Sequence, residues 1–393
     1  MAIHLSDVSF SSQRAGPTSI ALRLYIFVFI LCSCWGTGSG AQSSSPERLF
    51  REAINAQQRG DDAGAVLKYK ELLRLHPEAV VVRVNLGAVL SNLKRFDEAI
   101  EQYRIVLAAE PKNKLARMNM AVAYEDKGQL GPAIKELESL LRDEPGDGQT
   151  ALVLADCYLH VGRAEQAIAL LDRFEHTEAE NQDFELLLGS AQIQTGHAQE
   201  GVELVEKVAN AAASADAFLL AGRARLSLSQ FDLAGRNADA AMQLDPNLEG
   251  LQTLRGMIQE QTGNYDDAET TLLAALAKDP KDFDAHLYLG AIYYFRRNLQ
   301  EASLHLTRAL DIEPQSSQAR FQLAHVARAE GDIPAALRYL EEVVRESPDW
   351  LQPHAELSAL YYHLNRKEDG EKQKQIVDRL MLLQQQAQSK AAH

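Results

Sequence analysis

Along residues 283–316 the apolar side chains fall in two blocks with a polar break between them. Leu287, Leu289, Ile292 and Tyr293 recur at helical intervals, Arg296-Arg297-Asn298 interrupts them, and Ala302, Leu306, Ala309 and Leu310 resume the spacing. Apolar positions three and four apart mark one face of a helix, so the segment predicts two amphipathic helices joined by a short polar turn. Pro314 stands where the second helix must end, because proline lacks the backbone donor and clashes with the preceding turn. Small residues at Gly290 and Ala302 let the two helices lie against each other.

The same pattern recurs along most of the chain. Ala65, Ala99, Ala133, Ala167, Gly201, Ala234, Ala268, Ala302, Ala336 and Gly370 form a ladder with a step of 34 residues, shortened to 33 between Gly201 and Ala234. A second ladder, Ala53, Gly87, Ala121, Ala155, Gly189, Gly222, Gly256, Gly290, Ala324 and Ser358, holds the matching place in each first helix. A small residue required at one phase from 65 to 370 means one packing unit repeated and stacked. The predicted fold class is therefore all-α, a solenoid of tandem helix-turn-helix hairpins. The unit starts are 46, 80, 114, 148, 182, 215, 249, 283, 317 and 351.

Two features vary along the array. The terminating proline appears as Pro77, Pro111, Pro145, Pro246, Pro280, Pro314 and Pro348 but is missing from the units spanning 148–214. Glu178 to Gln182 and Ala211-Ala212-Ala213 stand there instead, and the stack is expected to bend or loosen at that point. After the repeats of 46–370, residues 371–393 carry an apolar stripe of Ile376, Val377, Leu380, Met381 and Leu383. This is read as a capping helix and tail that close the open end.

Leu289-Gly290-x-x-Tyr293 with Ala302, Ala309 and Pro314, and Leu86-Gly87 with Ala99, Tyr103 and Pro111, resemble the tetratricopeptide repeat family over about residues 46–370. The family's leading Trp is replaced by Arg83, Arg117, Ala151 or Gln252 in different units. The resemblance implies a right-handed superhelix whose first helices line a concave groove, where a protein or peptide partner lies. Carried over position by position, it places Tyr294, Arg328 and Tyr362 at one phase of three successive inner helices, joined by Phe295, Phe321, His325 and His363. Aromatic and Arg residues together are the material of binding hot spots; the alternative is packing between units, for Phe321 above all. Asn85 and Asn119 match two rungs of the inner asparagine ladder of the O-linked N-acetylglucosamine transferase superhelix, broken later by Val153, Leu187 and Leu220. A local helical fit is the alternative for both. The clamp that grips acidic chaperone tails is not expected, since Ala88, Val122, Asp156 and Ser190 hold its places.

Charge narrows the partner. Forty basic against 55 acidic residues give a net charge of −15, which on average repels nucleic acid and anionic lipid surfaces. No His-Glu-x-x-His occurs, and no cofactor, metal site or catalytic constellation is expected. Cys157 shares its phase with Val89, Ala123, Ile258, Ile292 and Val326, so a buried thiol is expected there.

The N-terminus carries an address. Arg14 and Arg23 precede the apolar run Leu24 to Trp35, then the small, polar stretch Gly36 to Ser45. This is the order of a secretory signal, with a cut after Ala41; the run is short against the about 20 residues of a membrane span. Residues 1–41 are thus read as a signal peptide or, alternatively, an N-terminal membrane anchor, and 42–45 as a spacer. Leu31-Cys32-Ser33-Cys34 loosely matches a lipobox, with Cys34 as the candidate for lipidation, against the alternative of ordinary cysteines in an apolar leader. Gly36-x-Gly38-x-Gly40 is spacer. The expected function is a non-catalytic, exported (periplasmic or extracellular), bacterial-type scaffold for protein binding in cell-envelope assembly or secretion. The alternative is a targeting or regulatory subunit of a separate enzyme, such as a glycosyltransferase or peptidase. A homo-oligomer through edge units stays open.

Overall fold

The structure, a computed structural model, describes residues 46–175 and 181–391, with side chains to 386. Twenty α-helices among these residues follow one another in pairs. They are α1 (Pro46–Gln58) with α2 (Asp62–Leu75), α3 (Val80–Asn92) with α4 (Phe96–Ala109), α5 (Lys114–Asp126) with α6 (Leu130–Asp143), and α7 (Gly148–His160) with α8 (Ala164–Leu171). Next come α9 (Gln182–Gln194) with α10 (Ala198–Ala212), α11 (Ala215–Ser227) with α12 (Phe231–Leu244), and α13 (Leu251–Gln261) with α14 (Tyr265–Lys278). The last are α15 (Phe283–Phe295) with α16 (Leu299–Ile312), α17 (Ser317–Glu330) with α18 (Ile333–Glu346), and α19 (Leu351–His363) with α20 (Lys367–Ala391). The chain divides into two compact units, one up to Val208 and one from Ala209 onward. Within each, hairpins pack on their sequence neighbours as in a tetratricopeptide-type solenoid. The leader, spacer and Cys34 lie outside the described residues. Among the described residues no helix is long and apolar enough to cross a membrane.

Each hairpin turns on one left-handed residue. Gly60, Lys94, Gly128, Gly162, Gly196, Ser229, Gly263, Arg297, Gly331 and Asn365 have φ between 56° and 88°, and all occupy the fifteenth place of their hairpins. Glycine enters this region freely, whereas a side chain there costs roughly 1–2 kcal/mol. Side-chain caps then start several helices: Asp61 accepts from the Gly64 N–H at 2.9 Å and Asp282 from the Ala285 N–H at 3.0 Å.

The two small-residue ladders meet inside the hairpins. Ala65, Ala99, Ala133, Ala167, Ala234, Ala268, Ala302 and Ala336 are fully buried. Gly87, Gly256 and Gly290 receive Tyr103, Leu272 and Leu306 from the second helix, each so close that a Cβ would sit 2.5 Å from the ring or branch. In α9 and α10 the approach is backbone to backbone, because a Cβ on Gly201 would lie 2.5 Å from the Gly189 carbonyl oxygen. In the last hairpin the Ser358 hydroxyl donates to the Gly370 carbonyl at 2.8 Å.

A polar bracket joins many hairpins to the linker before them. Arg83 donates from Nη2 to the Pro77 carbonyl at 2.8 Å and from Nη1 to Gln102 at 3.0 Å. Arg117 reaches the Pro111 carbonyl and Ser139, and Arg320 reaches the Pro314 carbonyl and Glu346. Histidine does the same work in two hairpins: His286 Nε2 donates to Pro280 at 3.3 Å and His354 Nε2 to Pro348 at 3.0 Å, with His305 and Gln373 on their Nδ1 sides. In these five hairpins the place left without the family's Trp is filled by a side chain that satisfies the carbonyl of the terminating proline. Burial and the neighbouring His286 push His305 down to about 4, so it stays neutral across the physiological range.

Two second helices differ in length from the rest. Helix α8 has only 8 residues, followed by a 3-10 turn over Asp172–Phe174 that buries Phe174, while other second helices have 14 or more. Helix α20 runs unbroken from Lys367 to Ala391, so no separate capping helix begins at 371. Only Leu380 of the expected stripe is buried; Ile376 and Val377 are half-buried, and Met381 and Leu383 are exposed. The reason is length: α19 has 13 residues and spans about 20 Å, whereas the 25 residues of α20 span about 37 Å. Its far end has no partner within the hairpin.

Candidate functional site

The groove residues expected in the C-terminal hairpins divide into two groups. Tyr294 (α15), Phe321, His325 and Arg328 (α17) come together around a residue that sequence reasoning missed, Glu356 of α19. His325 Nε2 lies 3.0 Å from the Glu356 carboxylate, and Arg328 Nη1 donates to it at 3.3 Å. The Tyr294 and His325 rings are 6.1 Å apart, and Phe321 meets His325 edge-on at 4.5 Å and Trp350 at 4.8 Å. Burial alone would raise the Glu356 carboxyl, but the His325 hydrogen bond and the charges of His325 and Arg328 hold it below its ordinary value. Phe321 is buried and serves packing, whereas Tyr294 and His325 are half-buried and Arg328 is exposed. Glu356 was missed because it holds the sixth place of its hairpin, a phase read as groove only at Asn85 and Asn119 and as broken from Val153 onward. The cue available in the sequence is an acid one repeat beyond a His/Arg pair.

Phe295, Tyr362 and His363 stand apart from this cluster. Phe295 is 59% exposed and stacks on Tyr265 at 4.5 Å. Tyr362 shares its phase with Tyr294 and Arg328, yet its hydroxyl donates to Glu371 at 2.7 Å and its ring lies against Gly370. It leans on its own second helix. His363 is exposed.

Asn85 and Asn119 are not groove residues: each is 1% exposed. They lie between helices, Asn85 beside the Tyr69 hydroxyl and Asn119 beside that of Tyr103, tyrosines whose burial pushes their hydroxyls up. Their sixth-place phase points at the second helix of the preceding hairpin. A buried amide there meets the polar end of a buried ring, beside Gln57 in the case of Tyr69.

A second polar cluster, also missed, occupies the first-helix face of residues up to Val208. A carboxylate oxygen of Glu125 (α5), one of Asp156 (α7) and a ring nitrogen of His160 (α7) lie within 4.8 Å of one another. His160 Nδ1 is 3.0 Å from the Asp156 backbone carbonyl, which only accepts, so that nitrogen is a donor with no lone pair for a metal. The group reads as an acid pair rather than an ion site. Cys157, next in line, is fully buried, and burial with the nearby acids pushes its thiol up, against any role as a thiolate.

Comparison with known proteins gives this geometry its family. Tetratricopeptide repeat models match residues 50–114 and 253–317, and 93–149 and 126–178. Human Superkiller complex protein 3 is 28% identical over 97 residues, 25% of this chain and 6% of that protein. Tetratricopeptide repeat protein 37 of Xenopus laevis is 28% identical over 123 residues, 30% of this chain and 8% of that protein. The chain therefore spans less than a tenth of the length of either relative. Among solved structures, that of the APC/C hetero-tetramer Cut9-Hcn1 shares 14% identity with a TM-score of 0.54, covering 86% of this chain and 88% of the other. At that identity the likeness is one of fold. Paired helices, small-residue ladders and matched repeats together make this chain a tetratricopeptide-repeat protein.

Proposed function

We propose that the chain is a non-catalytic scaffold that holds a peptide or helix of a partner protein on the first-helix face of residues 283–363. The observation that carries this reading is the contrast within that face. Arg328 is fixed by Glu356 while remaining exposed, Tyr294 is half-buried beside it, and Phe295 offers a stacked, open ring. Rigid aromatic and Arg side chains that keep their surface are what hot spots need, because little side-chain entropy remains to be lost on binding. The net charge of −15 argues for a protein partner over nucleic acid. The order basic, apolar, small in residues 14–45 supports export and a role in envelope assembly or secretion, with any membrane attachment through that segment.

The test is capture of partners from envelope extract by the full chain beside a Tyr294→Ala, Phe295→Ala, Arg328→Ala variant whose helicity and melting match the parent. A partner held by the parent and lost by the variant supports the reading. Equal capture by both removes the site from this face. Turnover in the captured complex, carried by the other chain, would favour a targeting subunit.

A further inference from the structure

Glu125 and Asp156 form a pair of acids across two successive hairpins, on α5 and α7, at the twelfth and ninth places of their first helices. Asp156 Oδ1 is buried without a hydrogen-bond partner, and the His160 ring lies 3.5 Å from it. Two carboxylates this close and half-buried cannot both keep their charge cheaply, whereas one proton between them turns repulsion into a hydrogen bond. We propose that Glu125 and Asp156 hold a single proton between them across the α5–α7 seam, and that the seam loosens when rising pH removes it. The inference stands independently of where a partner binds.

The surroundings support this and give its sign. Glu125 is pushed up by burial first and then by the Asp156 charge; Asp156 is pushed up by burial and by Asp183 of α9. Asp126 adds to the repulsion, Cys157 contributes no charge, and His160 is the one group that opposes the rise at Glu125. Asp183 is itself raised by burial. In the unfolded chain both acids ionise in the ordinary carboxylate range, so the native state binds the extra proton. The stabilisation is complete below that range and disappears as pH rises through the native titration of the pair.

The experiment uses the full chain with Glu260→Gln as reference, since Glu260 is also pushed up, to about 7, by burial. Infrared spectra at pH 6 should show the carbonyl band of a protonated carboxylic acid, gone by pH 9. Hydrogen exchange of peptides covering 114–126 and 148–160, corrected for intrinsic rates, should lose protection about tenfold between pH 6 and 9. Adding Glu125→Gln or Asp156→Asn should abolish both changes, with protection at pH 9 above that of the reference. A missing acid band at pH 6 in the reference overturns the proposal whether or not either variant folds. So does protection that falls equally in reference and variants.

Discussion

Two stretches of this chain join hairpins in different ways. In the hairpins starting at 80, 114, 283, 317 and 351, an Arg or His at the fourth place binds the carbonyl of the proline six residues earlier and a polar group on its own second helix. In those starting at 148 and 182 the place holds Ala151 and Glu185, and Glu185 spends its carboxylate on Lys207. There the hairpin of α9 and α10 closes by direct contact of Gly189 and Gly201 instead. The difference separates two jobs that a repeat must do. Small residues close each hairpin, and the bracket fixes the linker that leads into it.

The largest effect expected from breaking this contrast is at the glycine contact. Gly201→Ala should cost about 3 kcal/mol, the upper end of overpacking, because its Cβ meets backbone that cannot turn aside. A melting temperature equal to that of the parent would sink the backbone-contact reading. Next, Arg320→Ala removes a bracket whose side chain is 11% exposed and takes its charged donor from the Pro314 carbonyl, Glu342 and Glu346, for about 2 kcal/mol in denaturant melts. Glu185→Ala at the same place should change stability by less than about 1 kcal/mol, as its lysine partner is 66% exposed. Equal losses for the two would erase the distinction. A smaller gain of about 1 kcal/mol is expected from Lys94→Gly, which relieves a left-handed side chain, and the same melts would detect it.

Acid and base should also separate two regions. Glu356 has its carboxyl lowered in the folded state, so the stability it contributes is present above the ordinary carboxylate value and is lost as pH falls through the lowered one. Hydrogen exchange of the segment 317–363 should therefore rise in acid, and Glu356→Gln should remove that rise. The Glu125 and Asp156 pair fails in the opposite direction.

The hairpins were legible because their demands repeat: a small residue every 34 positions leaves little freedom in pairing the helices. The brackets were written just as regularly, as a basic side chain six residues after a proline in five places, but the sequence alone presented Arg83 and Arg117 only as residues that were not Trp. Asn85 and Asn119 misled because phase was carried from another superhelix. A rotation of one position decides whether an amide faces a groove or the Tyr of the hairpin before it. The end of α20 misled for a simpler reason. Apolar spacing marks a helix face, whereas burial of Met381 and Leu383 needs a neighbour long enough to cover them.

The bracket also bears on how the chain carries load. Tension along the backbone passes from one hairpin to the next through the linker, and a linker tied by its carbonyl to both following helices transmits force without opening. Where that tie is lacking, as at the joint into α7 with Ala151 in the fourth place, no side chain shares the force on the linker carbonyl. Stretched between its ends, the protein should therefore keep its bracketed joints, those leading into α3, α5, α15, α17 and α19, to the last, which makes them its mechanical splices.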